Sequence, residues 1–289
     1  MRPIALIALL AACALTGAGC GAGEEGPATS LIVTGEFGGR TIVETVKIPA
    51  TPGLTVMRQL QGAHESTTSF GGRYVDSIEG TKEDGENSWL FYVDGVETTT
   101  AATSERLQGG EVVQWDFHPW QAVRIGGAIV GAYPQPMKSR GAEVVCSDDG
   151  TASCAKAKSV LRAAGVATTG ERRVRVYVGS WGALGGIEGV PDLDRSGDVN
   201  GAFAQFTAGG KALTPFAADG SRRTSLGAGA GLLAAFAEGS KLSWVVTGTD
   251  DNGALAAAML LERPESIANR FGAVVEGGNV RALPESVSP

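Results

Sequence analysis

The chain is poor in the residues that usually carry hydrolytic or metal chemistry. Among 289 residues there are two histidines, His64 and His118, and four cysteines. No histidine pair stands at helical spacing, no Cys/His arrangement is present, and no Gly-x-Ser-x-Gly elbow surrounds Ser180, so hydrolytic or metal catalysis lacks its parts and an exported enzyme has least support. Basic residues are also scarce: 24 Lys and Arg face 31 Asp and Glu, and the net charge is −7. A phosphate backbone needs a basic face, so a general nucleic-acid surface is excluded. No internal repeat appears. What the chain does have is 43 Gly and 43% hydrophobic residues, a composition that fits neither collagen nor disorder and is ample for two compact domains.

Residues 1–15 combine Arg2 with the one long apolar run, which is too short for a permanent membrane span; the segment reads as an export signal. Small residues Gly17-Ala18-Gly19 then precede Cys20. The pattern looks like a bacterial lipoprotein signal, with residues 1–19 removed, Cys20 lipidated and residues 20–30 a tether. Leu10-Ala11-Ala12-Cys13 matches the usual lipobox letters but would leave a very short apolar region. The expected location is the outer face of the bacterial cytoplasmic membrane, held by the lipid. Outside the cell, the remaining pair Cys146 and Cys154, separated by a polar turn, most simply forms a disulfide; a metal site there is the minor reading, since neither histidine is near in sequence.

Two extended runs, Leu31 to Thr34 and Thr41 to Val46, flank a Gly38-Gly39 turn, and Leu54, Met57 and Leu60 share one side of a short helix. Residues 74–120 hold three of the five tryptophans. Trp89, Phe91 and Val93 point one way and Leu90 and Tyr92 the other, so that strand is covered on both sides. Asp94-Gly95 suits a hairpin turn of positive φ, and Val113, Trp115 and Phe117 share a face of the strand that Pro119 ends.

The order Tyr74-Val-x-Ser-Ile-x-Gly, Ser88-Trp-x-x-Tyr-Val-Asp-Gly-Val, then Leu107-x-Gly-Gly-x-Val-Val-x-Trp resembles the carboxy-terminal domain of transcobalamin and intrinsic factor. The resemblance covers about residues 31–120. It implies a small α+β, β-grasp-like module that, in the animal proteins, closes over a corrinoid seated on a separate α/α barrel. No sequence here looks like that barrel, so the resemblance speaks more for fold than for ligand.

Residues 121–284 alternate extended and helical segments, which argues for an α/β domain with a mixed or parallel sheet, and residues 285–289 read as a disordered tail. Expected strands include 122–130, 174–178, 242–247 and 271–275; expected helices include 155–164, 232–238 and 254–261. Residues 202–206 and 213–216 are expected to pair.

Asp192, Asp194, Ser196, Asp198 and Asn200 copy the alternating oxygens of a calcium loop, with Gly197 at its sixth place; Phe203 stands where the closing carboxylate belongs, so a solvated turn is the commoner outcome. Gly227 to Gly231 before an expected helix reads as a connector rather than a phosphate cradle. Ser180 with Trp181, and Thr249 with Asp250, lie beyond carboxyl ends of expected strands, where α/β sheets bind ligands; Asp250 is equally placed as a helix cap. The aromatic set Tyr74, Trp89, Phe91, Tyr92 and Trp115 is either core or a flat face for a corrin ring, and His118 either a cobalt ligand or an ordinary half-buried side chain. The expected function is binding of a small molecule, a corrinoid foremost, in concert with a membrane transporter or a separate barrel protein. The alternative is a structural or adhesion module that docks another protein.

Overall fold

The computed structural model describes residues 26–123, 127–168 and 174–286. The export signal, Cys20 and the start of the tether lie outside these residues. The last tether residues do not: β1 runs Gly26–Gly35 and pairs antiparallel with β2, Arg40–Ala50. The turn between them holds Glu36, Phe37 and Gly38 at φ of 57°, 58° and 77°. Left-handed backbone costs a non-glycine residue about 1–2 kcal/mol. Here the Asp116 carboxylate, which accepts from the Phe37 and Gly38 amides at 3.0 and 2.8 Å, offsets that cost and turns the Phe37 ring inward.

Thr55 caps α1, Val56–Ala63, by accepting from the Arg58 amide. The short strands β3 (Ser66–Ser69), β4 (Tyr74–Ile78) and β5 (Thr81–Lys82) form a separate three-stranded sheet. β6 (Asn87–Val93), β7 (Val96–Glu97) and β8 (Val112–Pro119) complete the first sheet, in the order β2-β1-β8-β6-β7 with β1 and β8 parallel. Asp94 and Gly95 turn β6 into β7 at φ of 53° and 75°, as their identities require. Gly95 is fixed a second time, because a Cβ there would lie 2.9 Å from the Ile129 carbonyl.

One face of this sheet, with Leu31, Val33, Trp89, Val113 and Trp115, packs on Val56, Met57 and Leu60 of α1. The other face carries Thr34, Gln114, Asp116, His118 and Tyr92, all buried.

The second half contains α2 (Met137–Arg140), β9 (Ala142–Cys146), α3 (Ala152–Ala163), β10 (Val174–Ser180), α4 (Trp181–Leu184), the antiparallel ribbon β11 (Ala204–Thr207) and β12 (Ala212–Pro215), then β13 (Gly231–Glu238), β14 (Lys241–Gly248), α5 (Asp251–Leu260), β15 (Gly272–Glu276) and β16 (Asn279–Leu283). Its six-stranded sheet is mixed, in the order β16-β15-β13-β14-β10-β9, with β9, β10 and β14 parallel. Residues 232–238 are strand, not helix. Leu233 and Ala235 pack with the α3 and α5 side, while Leu232, Ala234 and Phe236 pack with the opposite core, and a strand covered on both faces loses the alternation that would reveal it. No strand appears among the described residues of the expected 122–130 segment either: 120–123 form a 3-10 turn, and Ala128 makes only an isolated bridge to Val96.

The two halves share a core. Phe271 meets Phe37, Tyr92 and His118 edge-on, each with ring centres 5.2 Å apart, and Phe37 also meets Phe203. Gln114 donates to the Asn269 carbonyl at 2.9 Å. Asn269 sits at φ 64°, and a Cβ on Gly38 would collide with its carbonyl, so the contact depends on bare backbone. The tail expected at 285–289 begins inside the fold: Glu285 donates its amide to Phe216 and pairs with Arg281. Among the described residues, no helix is long and apolar enough to cross a membrane.

Candidate functional site

The rings where the two halves meet are enclosed by the shared core. Trp89, Tyr92, Trp115 and His118 are 6%, 0%, 2% and 1% exposed, so these rings present no flat face to a corrinoid. His118 is closed off further. Its Nδ1 lies 2.7 Å from Asp116 Oδ1 and the Phe37 ring stacks on it at 4.4 Å, which corrects its reading as a cobalt ligand. Phe91 is half-buried and packs against Trp115, with ring centres 4.9 Å apart.

The carboxyl ends of β10 and β14 are likewise structural. Trp181 is buried, stacks on Phe206 and donates to Asp194 at 2.8 Å. Ser180 is the residue before α4 and makes no capping bond. Asp250 caps α5 through the Gly253 amide and takes the Gly229 amide with its second oxygen. Thr249 donates to the Gly227 carbonyl, tying the glycine-rich connector to β14. The side chains of the calcium-like loop are engaged within the turn: Asn200 turns its amide to the Arg195 and Ala204 carbonyls, Asp192 accepts from the Asp194 amide, and Asp194 accepts from Trp181. Among the described residues no group of three carboxylates converges there.

One cleft of about 380 Å³ does open, lined by Tyr74, Glu83, Ser88, Trp89, Leu90 and Trp120. Its position follows from the sheet. β7 pairs only with Tyr92 and Val93, which leaves the outer edge of β6 from Asn87 to Phe91 without a strand partner in that sheet. The β4 and β5 hairpin stands beside that edge, joined to it where Tyr74 and Ser88 share a hydrogen bond of 3.0 Å and where Trp89 Nε1 donates to the Thr81 carbonyl. Trp120, just past the end of β8, hangs over it 45% exposed. Burial raises the Tyr74 phenol above its usual pKa, Ser88 works against that, and Glu83 adds to it, so the hydroxyl stays protonated. The cleft thus offers aromatic surface, a carboxylate and hydroxyls. Tyr74 and Trp89 belong to the aromatic set read from the sequence; Glu83, Ser88, Leu90 and Trp120 were outside it. The available signal was Trp120 itself, an aromatic placed beyond the proline that ends its strand.

A second cleft, about 270 Å³, lies between β9 and α3, where Glu143, Val144, Lys158 and Arg162 line it. Beside it the expected disulfide is present: Cys146 and Cys154 are bonded, with Cα atoms 5.8 Å apart.

The model of a family described as a domain of unknown function, DUF4430, matches residues 53–119, less than a quarter of the chain. That span holds α1, the hairpin sheet, β6 and β8, and stops at Pro119, one residue short of Trp120. A solved structure described as "a putative metal binding protein from Ruminococcus gnavus" is similar over 32% of this chain and 97% of its own, at 10% identity and a TM-score of 0.26, too slight a likeness to carry an argument. No curated protein matches the chain. The transcobalamin and intrinsic factor family is not named by the family model or by this structure, and the family match does not reach the second half.

Proposed function

We propose that the protein is an exported, lipid-anchored binder, not an enzyme, and that its ligand sits in the Trp120 cleft. The carrying observation is contrast. In a molecule whose other large rings on this sheet are sealed or half-sealed, Trp120 stands 45% exposed above a carboxylate and two hydroxyls. Pockets for small ligands combine apolar walls with a few placed polar groups in about this range of volume, roughly 300–1,000 Å³. The sheet order β2-β1-β8-β6-β7, with parallel central strands and α1 packed on one face, supports a β-grasp-like reading of the first half. A corrinoid is the first ligand to test, because the resemblance to the transcobalamin module implies it. In a cleft this small the protein would hold an edge of that ring, with a transporter or a second protein covering the rest. Cys20 would carry the lipid.

Docking of another protein is the second reading. It draws on Phe70, 82% exposed at the β3–β4 turn.

Titration of the purified protein with cobinamide and cobalamin, followed by visible absorption and melting temperature, tests the first reading. Binding should shift both, and Trp120→Ala should abolish the shifts. A folded protein that changes neither signal removes the corrinoid; binding that survives Trp120→Ala unchanged removes the cleft.

A further inference from the structure

The Cys146–Cys154 bridge closes a short loop that also contains Asp149. The two sulfurs and an Asp149 oxygen lie within 4.8 Å of one another, and Asp149 Oδ1 is 3.5 Å from Cys154 Sγ. Sequence spacing alone offers two thiols, too few for a metal; the fold adds a third donor, the Asp149 oxygen. We propose that reduction of this bridge creates a binding site for a thiophilic divalent cation, Zn²⁺ being the type, held by Cys146, Cys154 and Asp149 with a water in the fourth place.

The geometry needs little movement. Zn–S bonds of about 2.3 Å in a tetrahedron put two sulfurs about 3.8 Å apart, a separation that side-chain rotation supplies once the S–S bond is gone. Cys154 is the third residue of α3, after the Thr151 cap, so its position is fixed by the helix. Charge also closes. Two thiolates and a carboxylate carry −3, the cation +2, and Lys158 Nζ, 2.8 Å from Asp149, supplies the remaining +1. Access is from one side: Cys154 is buried and Cys146 half-buried, while Asp149 is exposed. The redox step balances with a dithiol reductant. The S–S bond takes two electrons and two protons from the dithiol, which becomes a disulfide, and metal binding then releases two protons to solvent. An oxidised protein therefore holds no ion here.

The probe is Co²⁺ added to the full protein, with and without prior reduction in oxygen-free buffer. The reduced form should give a sulfur-to-cobalt charge-transfer band at one equivalent, reversed by Zn²⁺, and the oxidised form none. Cys146→Ser should abolish the band, and Asp149→Asn should weaken binding at least tenfold. The proposal is overturned by a reduced, folded protein without the band, by equal binding in the oxidised form, or by unchanged affinity in Asp149→Asn. If reduction collapses the far-ultraviolet dichroism, Zn²⁺ must restore it; failure to do so overturns the proposal equally.

Discussion

His118 Nδ1 and Asp116 Oδ1 lie 2.7 Å apart with both side chains wholly enclosed. The same carboxylate accepts from the Thr34 hydroxyl and from the Phe37 and Gly38 amides. Asp116→Ala would take the shared partner from the Thr34 hydroxyl, the Phe37 and Gly38 amides and His118, and release the left-handed turn at once. The expected loss is about 3–5 kcal/mol, read from urea unfolding. A loss below about 1 kcal/mol would mean the turn holds without its anchor.

Phe271 touches three rings of the first half. Phe271→Ala should cost about 3–5 kcal/mol, as large-to-small changes at buried aromatics do. Because the halves share that core, calorimetry of the parent protein should show one transition; two separate ones would contradict the shared core.

Burial raises the Asp94 carboxyl above its usual pKa, with Glu111 adding to the shift and the Val112 amide opposing it. The folded state then binds the proton more tightly than the unfolded chain, so stability falls as pH rises through the folded pKa. The penalty is complete above that value and fades as pH drops toward the ordinary 3.8. Asp94→Asn keeps the acceptor for the Val112 amide and tolerates positive φ. It should be more stable than the parent at neutral pH, with the gap narrowing in acid; a gap that widens in acid would reverse the assigned sign.

Replacing Cys146 and Cys154 together by alanine reopens a short loop in the unfolded chain. The expected cost is about 2–3 kcal/mol at 25 °C, by denaturant midpoint against the oxidised parent.

Trp120→Ala, in contrast, should leave stability within about 0.5 kcal/mol, since its ring is 45% exposed. A larger loss would make Trp120 a packing residue and weaken its assignment to ligand.

Local signals were readable where chemistry and backbone coincide. Asp94-Gly95 turns where two adjacent positive φ values are needed, and Thr249-Asp250 caps the helix it precedes. The alternation of Trp89 to Val93 gives the two-sided burial of β6 correctly. What covers the second side was not readable, because Phe271 is about 180 residues away and nothing near Tyr92 encodes the partner. The same gap hid Phe37, whose inward ring depends on Asp116, and β13, whose Leu and Ala side chains favour helix until both faces are packed. For the site, residue type identified the aromatics but not which of them would be left outside.

The parallel pairing of β1 with β8 has a bearing on orientation. Both strands run the same way, so the chain enters the sheet beside Val112 and Trp120 leaves from the far end, beyond the Gly35–Phe117 pair, roughly 17 Å away at about 3.3 Å per residue. Were Cys20 lipidated as proposed, the bilayer would lie on the side of the entry end and the tryptophan mouth would open toward the surrounding medium. Cargo would then be caught from solution on the distal pole, and any transporter collecting it would have to reach past the body of the protein.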